Sequence, residues 1–181
     1  METYIRKVWR TYFAIVSALI LLPASRSFAQ NVQYVYRDPP FVSALLQQQN
    51  SYRTVVQSPS LTWSEDLARD ALVWARHLAS VDQGQHDPDV RGKEGENIWW
   101  GTTGAFTYAQ MVDFWGGEKK DFKYGVFPDC RTHRTAVVGH YTQMVWKNTV
   151  SVGCALASNG KTDYLVCRYS PPGNVEGEKP Y

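Results

Sequence analysis

The octapeptide GHYTQMVW, Gly139 to Trp146, sets one of the four histidines of the 181-residue chain, His140, at the head of a short run that predicts a helix. On its C-terminal side, two apolar or β-branched runs, Val150–Ala157 and Tyr164–Tyr169, flank Ser158-Asn159-Gly160. They predict a hairpin in which Asn-Gly supplies the positive φ. On its N-terminal side, residues 119–138 are charged and irregular, with Gly125 and Pro128, and read mostly as loop. Before them, a helix is predicted from Phe106 or Thr107 to Trp115, stopped by Gly116-Gly117, and a short strand from Glu96 to Trp100 follows a polar loop over 82–95. Ser64, with Glu65 and Asp66 behind it, opens a long amphipathic helix with Leu67, Ala71, Trp74, Ala75 and Leu78 on one face. Phe41, Ala44, Leu45 and Tyr52 predict a first helix over 41–55, ended by Ser58-Pro59-Ser60. Helices with one strand between them, then a terminal strand pair, describe an α+β fold.

Residues 1–29 read as a secretory signal peptide. Arg6, Lys7 and Arg10 precede an apolar core from Tyr12 to Leu22 that is too short to span a bilayer, and Ser27-Phe28-Ala29 is a small-x-small cleavage site. The mature chain is then residues 30–181, the length of one domain, secreted to an extracellular and oxidising compartment with no stable membrane insertion after cleavage. Cleavage leaves fifteen basic and sixteen acidic residues, a formal charge of −1. Such a balance, with acids and bases interspersed, predicts no electrostatic footprint for nucleic acid or for an anionic membrane surface. Three cysteines, Cys130, Cys154 and Cys167, allow one internal bridge. Cys154 and Cys167 lie in the two runs of the hairpin and can face each other, while Cys130 with Cys154 is the alternative pairing.

The octapeptide does not stand alone. GEN at Gly95–Asn97, WGGE at Trp115–Glu118, GCA at Gly153–Ala155 and CRYSPPGN at Cys167–Asn174 occur in the same order over the mature chain, and QNSYR at Gln49–Arg53 resembles a His-Asn-x-x-Arg pattern with glutamine in place of the histidine. Together these motifs resemble the CAP superfamily, the SCP-domain group of cysteine-rich secretory proteins, antigen 5 and pathogenesis-related group 1 proteins. The chain looks like a secreted member of the last of these. That resemblance implies the three-layer α-β-α sandwich of the CAP fold and a cleft of two histidines and two glutamates, here His86, His140, Glu96 and Glu118.

Neutral imidazoles suit zinc or a similar divalent metal, and the carboxylates can line the cleft or fix a histidine tautomer. Two histidines leave the coordination sphere open, so metal is expected to be held weakly and lost as histidine protonates towards pH 6. His77 and His133, among charged neighbours, read as surface residues. No HExxH or GxSxG is present, so no catalytic residue is established. A metal-dependent hydrolase using Glu96 or Glu118 is the alternative to a binding module. Relatives bind sterols and other small lipids, which implies a sterol or lipid partner and a defence-related role, with Trp99, Trp100, Phe106 and Tyr108 as candidate lining. The tail, Pro171–Tyr181, fits the pattern PxGNxxxxxPY that marks a released signalling peptide after CNYx in plant relatives, though Arg168 stands where asparagine is usual. A protease acting on the tail and an extracellular receptor would then be partners; the simpler expectation is that the tail packs on the fold.

Overall fold

A computed structural model describes residues 33–181; the segment 1–29 that reads as a signal peptide lies outside the described residues. The elements in chain order are β1 (Gln33–Val35), α1 (Pro39–Val55), β2 (Thr62–Trp63), α2 (Glu65–Val81), β3 (Gly95–Thr102), α3 (Tyr108–Gly116), a 3₁₀ turn (Gly117–Asp121), α4 (Gly139–Val145), β4 (Ser151–Ser158) and β5 (Thr162–Ser170). The strands form one sheet in the order β1-β4-β5-β3, antiparallel throughout, with β2 added in parallel to β4.

Alternation along the strands divides the core in two. Trp99, Cys154, Leu165, Cys167 and Tyr169 face α1, α3 and α4, with Phe41, Leu45, Met111, Trp115, Tyr141 and Met144 packed against them. Ile98, Ala155, Ala157, Tyr164 and Val166 face α2 through Ala71, Ala75, Leu78 and Ala79. The result is an α-β-α sandwich with three helices on one face and one on the other. Helix α2 begins where the sequence predicts, with the Ser64 side chain accepting the Leu67 N–H. Its alanine stripe lets it lie close to the sheet, and Gly153 is essential to that approach: a β-carbon there would collide with the backbone of Ser64 and Ala68. Trp74, expected on the buried face, sits at its margin, stacked on His77 with its indole N–H on the Gln85 carbonyl.

Two further expectations change. The Gly116-Gly117 pair does not stop the helical path, which tightens into the 3₁₀ turn. Gly116 is there for its size, since a methyl would strike the Tyr52 ring. In the β4–β5 turn only Gly160 has positive φ, +86°. Asn159 acts through its side chain, whose Oδ1 accepts the N–H groups of Lys161 and Thr162. The hairpin register puts Cys154 opposite Cys167, and the two form a disulfide. Cys130 is a free, buried thiol whose pKa burial raises.

Candidate functional site

Helix α4 has only seven residues and no capping side chain of its own at Val138, so its neighbours fix its place. At its N-terminus, Glu118 accepts the backbone N–H of His140 (2.9 Å) and of Tyr141 (3.1 Å) on Oε2 and the His140 Nδ1 on Oε1 (2.6 Å). A carboxylate at this position satisfies orphan donors and meets the positive end of the helix. At the other end, the fully buried Arg53 of the QNSYR motif donates to the carbonyls of Met144, Trp146 and Thr149. Burial lowers the Arg53 pKa to about 10, offset in part by Tyr169, so it stays charged at neutral pH. The tail completes the clamp: Asn174 donates to the Gly139 carbonyl and accepts from Thr142, and Gly173 N–H donates to Gln143. Further on, Lys147 N–H bonds the Pro180 carbonyl, and Tyr181 packs on Phe122 and Tyr124.

His140, stacked on Trp115 and pinned at Nδ1, keeps Nε2 for a ligand. The second pair repeats the contact: His86 Nδ1 lies 2.7 Å from Glu96 Oε1, which also accepts the Asp87 N–H. Glu96 stands directly across from Arg168 in the β3–β5 register, and the guanidinium approaches its Oε2 at 3.1 Å. Strand parity sends both to the α2 face, with Ile98 and Val166, whereas Asn97 points to the other face and donates to the His140 carbonyl. The edge strand β3 therefore separates the two pairs. Among the described residues no three His, Cys, Asp or Glu side chains gather as a metal cage. Glu118 has both oxygens hydrogen-bonded, whereas Glu96 Oε2 is buried beside the Arg168 guanidinium without a hydrogen bond of its own, so what each pair presents outward to a cation is one imidazole nitrogen.

A cleft of about 470 Å³ runs beside the His140–Glu118 pair. Five consecutive β3 residues, Ile98 to Thr102, line it, which side-chain alternation allows only along a strand edge. Trp99, Trp100, Phe106, Phe114 and Trp115 form its apolar wall, with His140 and Glu118 at the polar end. Three of the four candidate lining residues are therefore here. Tyr108 is not: its ring packs edge-on against Phe41, 4.9 Å between centroids, in the core. Phe114 is the residue that sequence reasoning missed. Met111, Val112 and Trp115 make the buried stripe of α3 at helical spacing, with the partly buried Tyr108 in line, and Phe114 lies off it, 55 % exposed; that misplacement is its signal.

Residues 46–169 match the family model described as the cysteine-rich secretory protein family, CAP. The sequence is 35% identical to pathogenesis-related protein 1C of Nicotiana tabacum over the whole of both chains. It is 38% identical to pathogenesis-related protein 1A of the same plant, with 93% of this chain and 94% of that protein covered. The crystal structure of NaASP2 with Zn2+ superposes with a TM-score of 0.67 at 25% identity, covering 80% of this chain and 86% of that one. The structure of BmVAL-1 gives 0.68 at 24% identity over 79% and 82%.

Proposed function

The chain belongs to the cysteine-rich secretory protein family, and from that premise we propose that it is a secreted, defence-related binding module whose cleft takes a sterol or another small lipid. The observation that supports this reading is the row of five aromatic side chains along the β3 edge, closed at one end by a hydrogen-bonded His–Glu pair, in a cleft whose volume suits a small ligand. A divalent cation such as zinc, named with the NaASP2 structure above, would be held weakly at the cleft through Nε2 of His140, with Glu118 holding the ring, while His86, on the other side of β3 with its ring held by Glu96, would offer a separate single nitrogen. Such an ion would supply Lewis acidity at the polar end of the cleft, apart from the apolar wall that carries sterol affinity.

Hydrolysis is the less favoured reading. A water-activating base needs an accessible, uncommitted oxygen; Glu118 already accepts two helix N–H groups and an imidazole, and the one Glu96 oxygen without a hydrogen bond is buried against the Arg168 charge. Release of the tail as a signalling peptide would strip Asn174, Pro180 and Tyr181 from their partners, so the tail is better suited to holding α4.

Delipidated protein titrated with a fluorescent sterol tests the module. Phe114→Ser is expected to weaken binding at least about tenfold, the scale of one buried aromatic. His140→Ala is expected to leave sterol binding in place while removing zinc uptake in calorimetry. Sterol binding lost with His140→Ala but unchanged by Phe114→Ser would refute the module, and metal-dependent turnover abolished by Glu118→Gln would establish the hydrolase.

A further inference from the structure

The near-zero total charge conceals a segregation. Residues 119–134 carry Lys119, Lys120, Lys123, Arg131 and Arg134 against Asp121 and Asp129, an excess of three positive charges. Residues 82–96 carry Asp82, Asp87, Asp89, Glu94 and Glu96 against Arg91 and Lys93, an excess of three negative ones. The acidic stretch is internally engaged: Asp87, Glu94 and Glu96 converge on Arg168. The basic stretch is not. Among the described residues, none of its five lysines and arginines has a carboxylate within 4.0 Å, and all but the half-buried Arg131 are exposed.

The fold gathers these cations onto a fixed support. Phe122 bridges Arg131 antiparallel, Lys123 N–H donates to the Cys130 carbonyl and Thr132 N–H to that of Asp121, so the two limbs of the loop lie side by side. Phe122, packed on Tyr141 and Tyr181, and the buried Cys130 anchor them to the core. Exposed apolar groups stand among the charges: Tyr124, Val126 and Val137, with Lys179 over the Tyr124 ring. At the margin of this face a second hollow, lined by Lys120, His133 and Val137 together with Asp113 and Asp121, shares Phe114 and Glu118 with the aromatic cleft.

We propose that this basic face docks the protein on an anionic lipid bilayer, with the five cations at the headgroups and Tyr124, Val126 and Val137 at the interface. Cations near such a surface each raise partitioning roughly fivefold. Exposed valines among them favour a bilayer over a hydrated polyanion, because aliphatic groups gain only where an apolar phase is within reach. The acidic stretch at 82–96 is repelled from the same surface, which orients the molecule as it approaches. Docking does not depend on the cleft being filled, and it brings the wall that ends at Phe114 next to the surface that holds lipids.

Vesicle flotation of the protein secreted from the full chain tests this. Binding is expected to vesicles of phosphatidylcholine with about one third phosphatidylglycerol but not to phosphatidylcholine alone, and to fall steeply at high salt. Lys120→Glu with Arg134→Glu is expected to reduce it at least about tenfold. Arg69→Glu with Lys161→Glu, the same charge change outside this face, is expected to reduce it much less. Equal binding to neutral vesicles, equal loss in the two double variants, or binding to an anionic polysaccharide without binding to vesicles would each overturn the proposal. Unchanged flotation of Phe114→Ser alongside lost sterol binding separates docking from the cleft.

Discussion

The pairs His140–Glu118 and His86–Glu96 make almost the same contact, 2.6 and 2.7 Å between Nδ1 and Oε1, in opposite surroundings. His140 is 28 % exposed and its glutamate is held by two backbone N–H groups at a helix start. His86 is 66 % exposed, while Glu96 is 3 % exposed and answered by a single buried arginine. One pair is fixed by two main-chain donors without a counter-charge, the other by one, the Asp87 N–H, together with a charge. The main-chain pair is insensitive to side-chain changes nearby, because its donors cannot be mutated away. The other rests on Arg168, and on a residue type that the family pattern does not prescribe at that position.

Arg168→Ala therefore has the largest expected effect. It leaves Glu96 buried with its charge unanswered and frees Asp87 and Glu94 to repel one another, a loss of about 3–5 kcal/mol. Urea unfolding at pH 7 measures it; a loss below about 1 kcal/mol would mean that the cluster is solvated and that Glu96 needs no counter-charge. Glu118→Ala comes next. It removes three hydrogen bonds from the start of α4, worth about 2–3 kcal/mol, but leaves no buried charge behind. Loss of the His140 ring's orientation should accompany it, visible as a shifted and broadened imidazole resonance. An unperturbed imidazole spectrum in Glu118→Ala would show that Trp115 stacking alone positions the ring.

How much of this was legible in the sequence follows from how local each feature is. Ser64 announces α2 and Asn159-Gly160 the hairpin, because caps and turns are short-range chemistry. The strands β1 and β2, three and two residues long, exist only through pairing with β4, more than 85 residues away, and carry no pattern of their own. His140, Glu118 and Glu96 were named from motifs, yet their roles depend on partners that motifs do not name. Arg168 was read as a departure in the tail pattern, and the β3–β5 register turns it into the counter-charge of Glu96. Gln49, which stands where the motif pattern has histidine, is fully buried: its Oε1 accepts the Tyr169 hydroxyl and its amide nitrogen lies 3.9 Å from both sulfurs of the disulfide. Phe114 is legible only through the helix stripe that it fails to join.

The smallest expected effect sharpens the contrast from within the arginine cluster. Burial pushes the Glu94 carboxyl above the ordinary glutamate range; the Arg168 charge opposes this, and Asp70 and Asp87 reinforce it. Asp87 is shifted the other way: burial raises it, but the Arg168 hydrogen bond, the Asp89 N–H and the Arg168 charge together hold it below the ordinary range. A raised carboxyl binds its proton more tightly in the fold than in the unfolded chain, so its contribution falls as pH rises through the window above the ordinary glutamate value. A depressed one contributes above the ordinary aspartate value and loses that contribution as pH falls through its folded pKa. The two residues share one guanidinium and should leave opposite signatures. Glu94→Gln is expected to move the urea midpoint slightly upward at pH 7 and not at all near about pH 3.5, where glutamate is protonated in both states. Asp87→Asn is expected to move it downward at pH 7, with the loss shrinking as acid removes the wild-type advantage. The same sign for both variants at neutral pH would show that Arg168 answers its carboxylates as one shared charge, and that the Glu96 pair is no more dependent on it than its neighbours are.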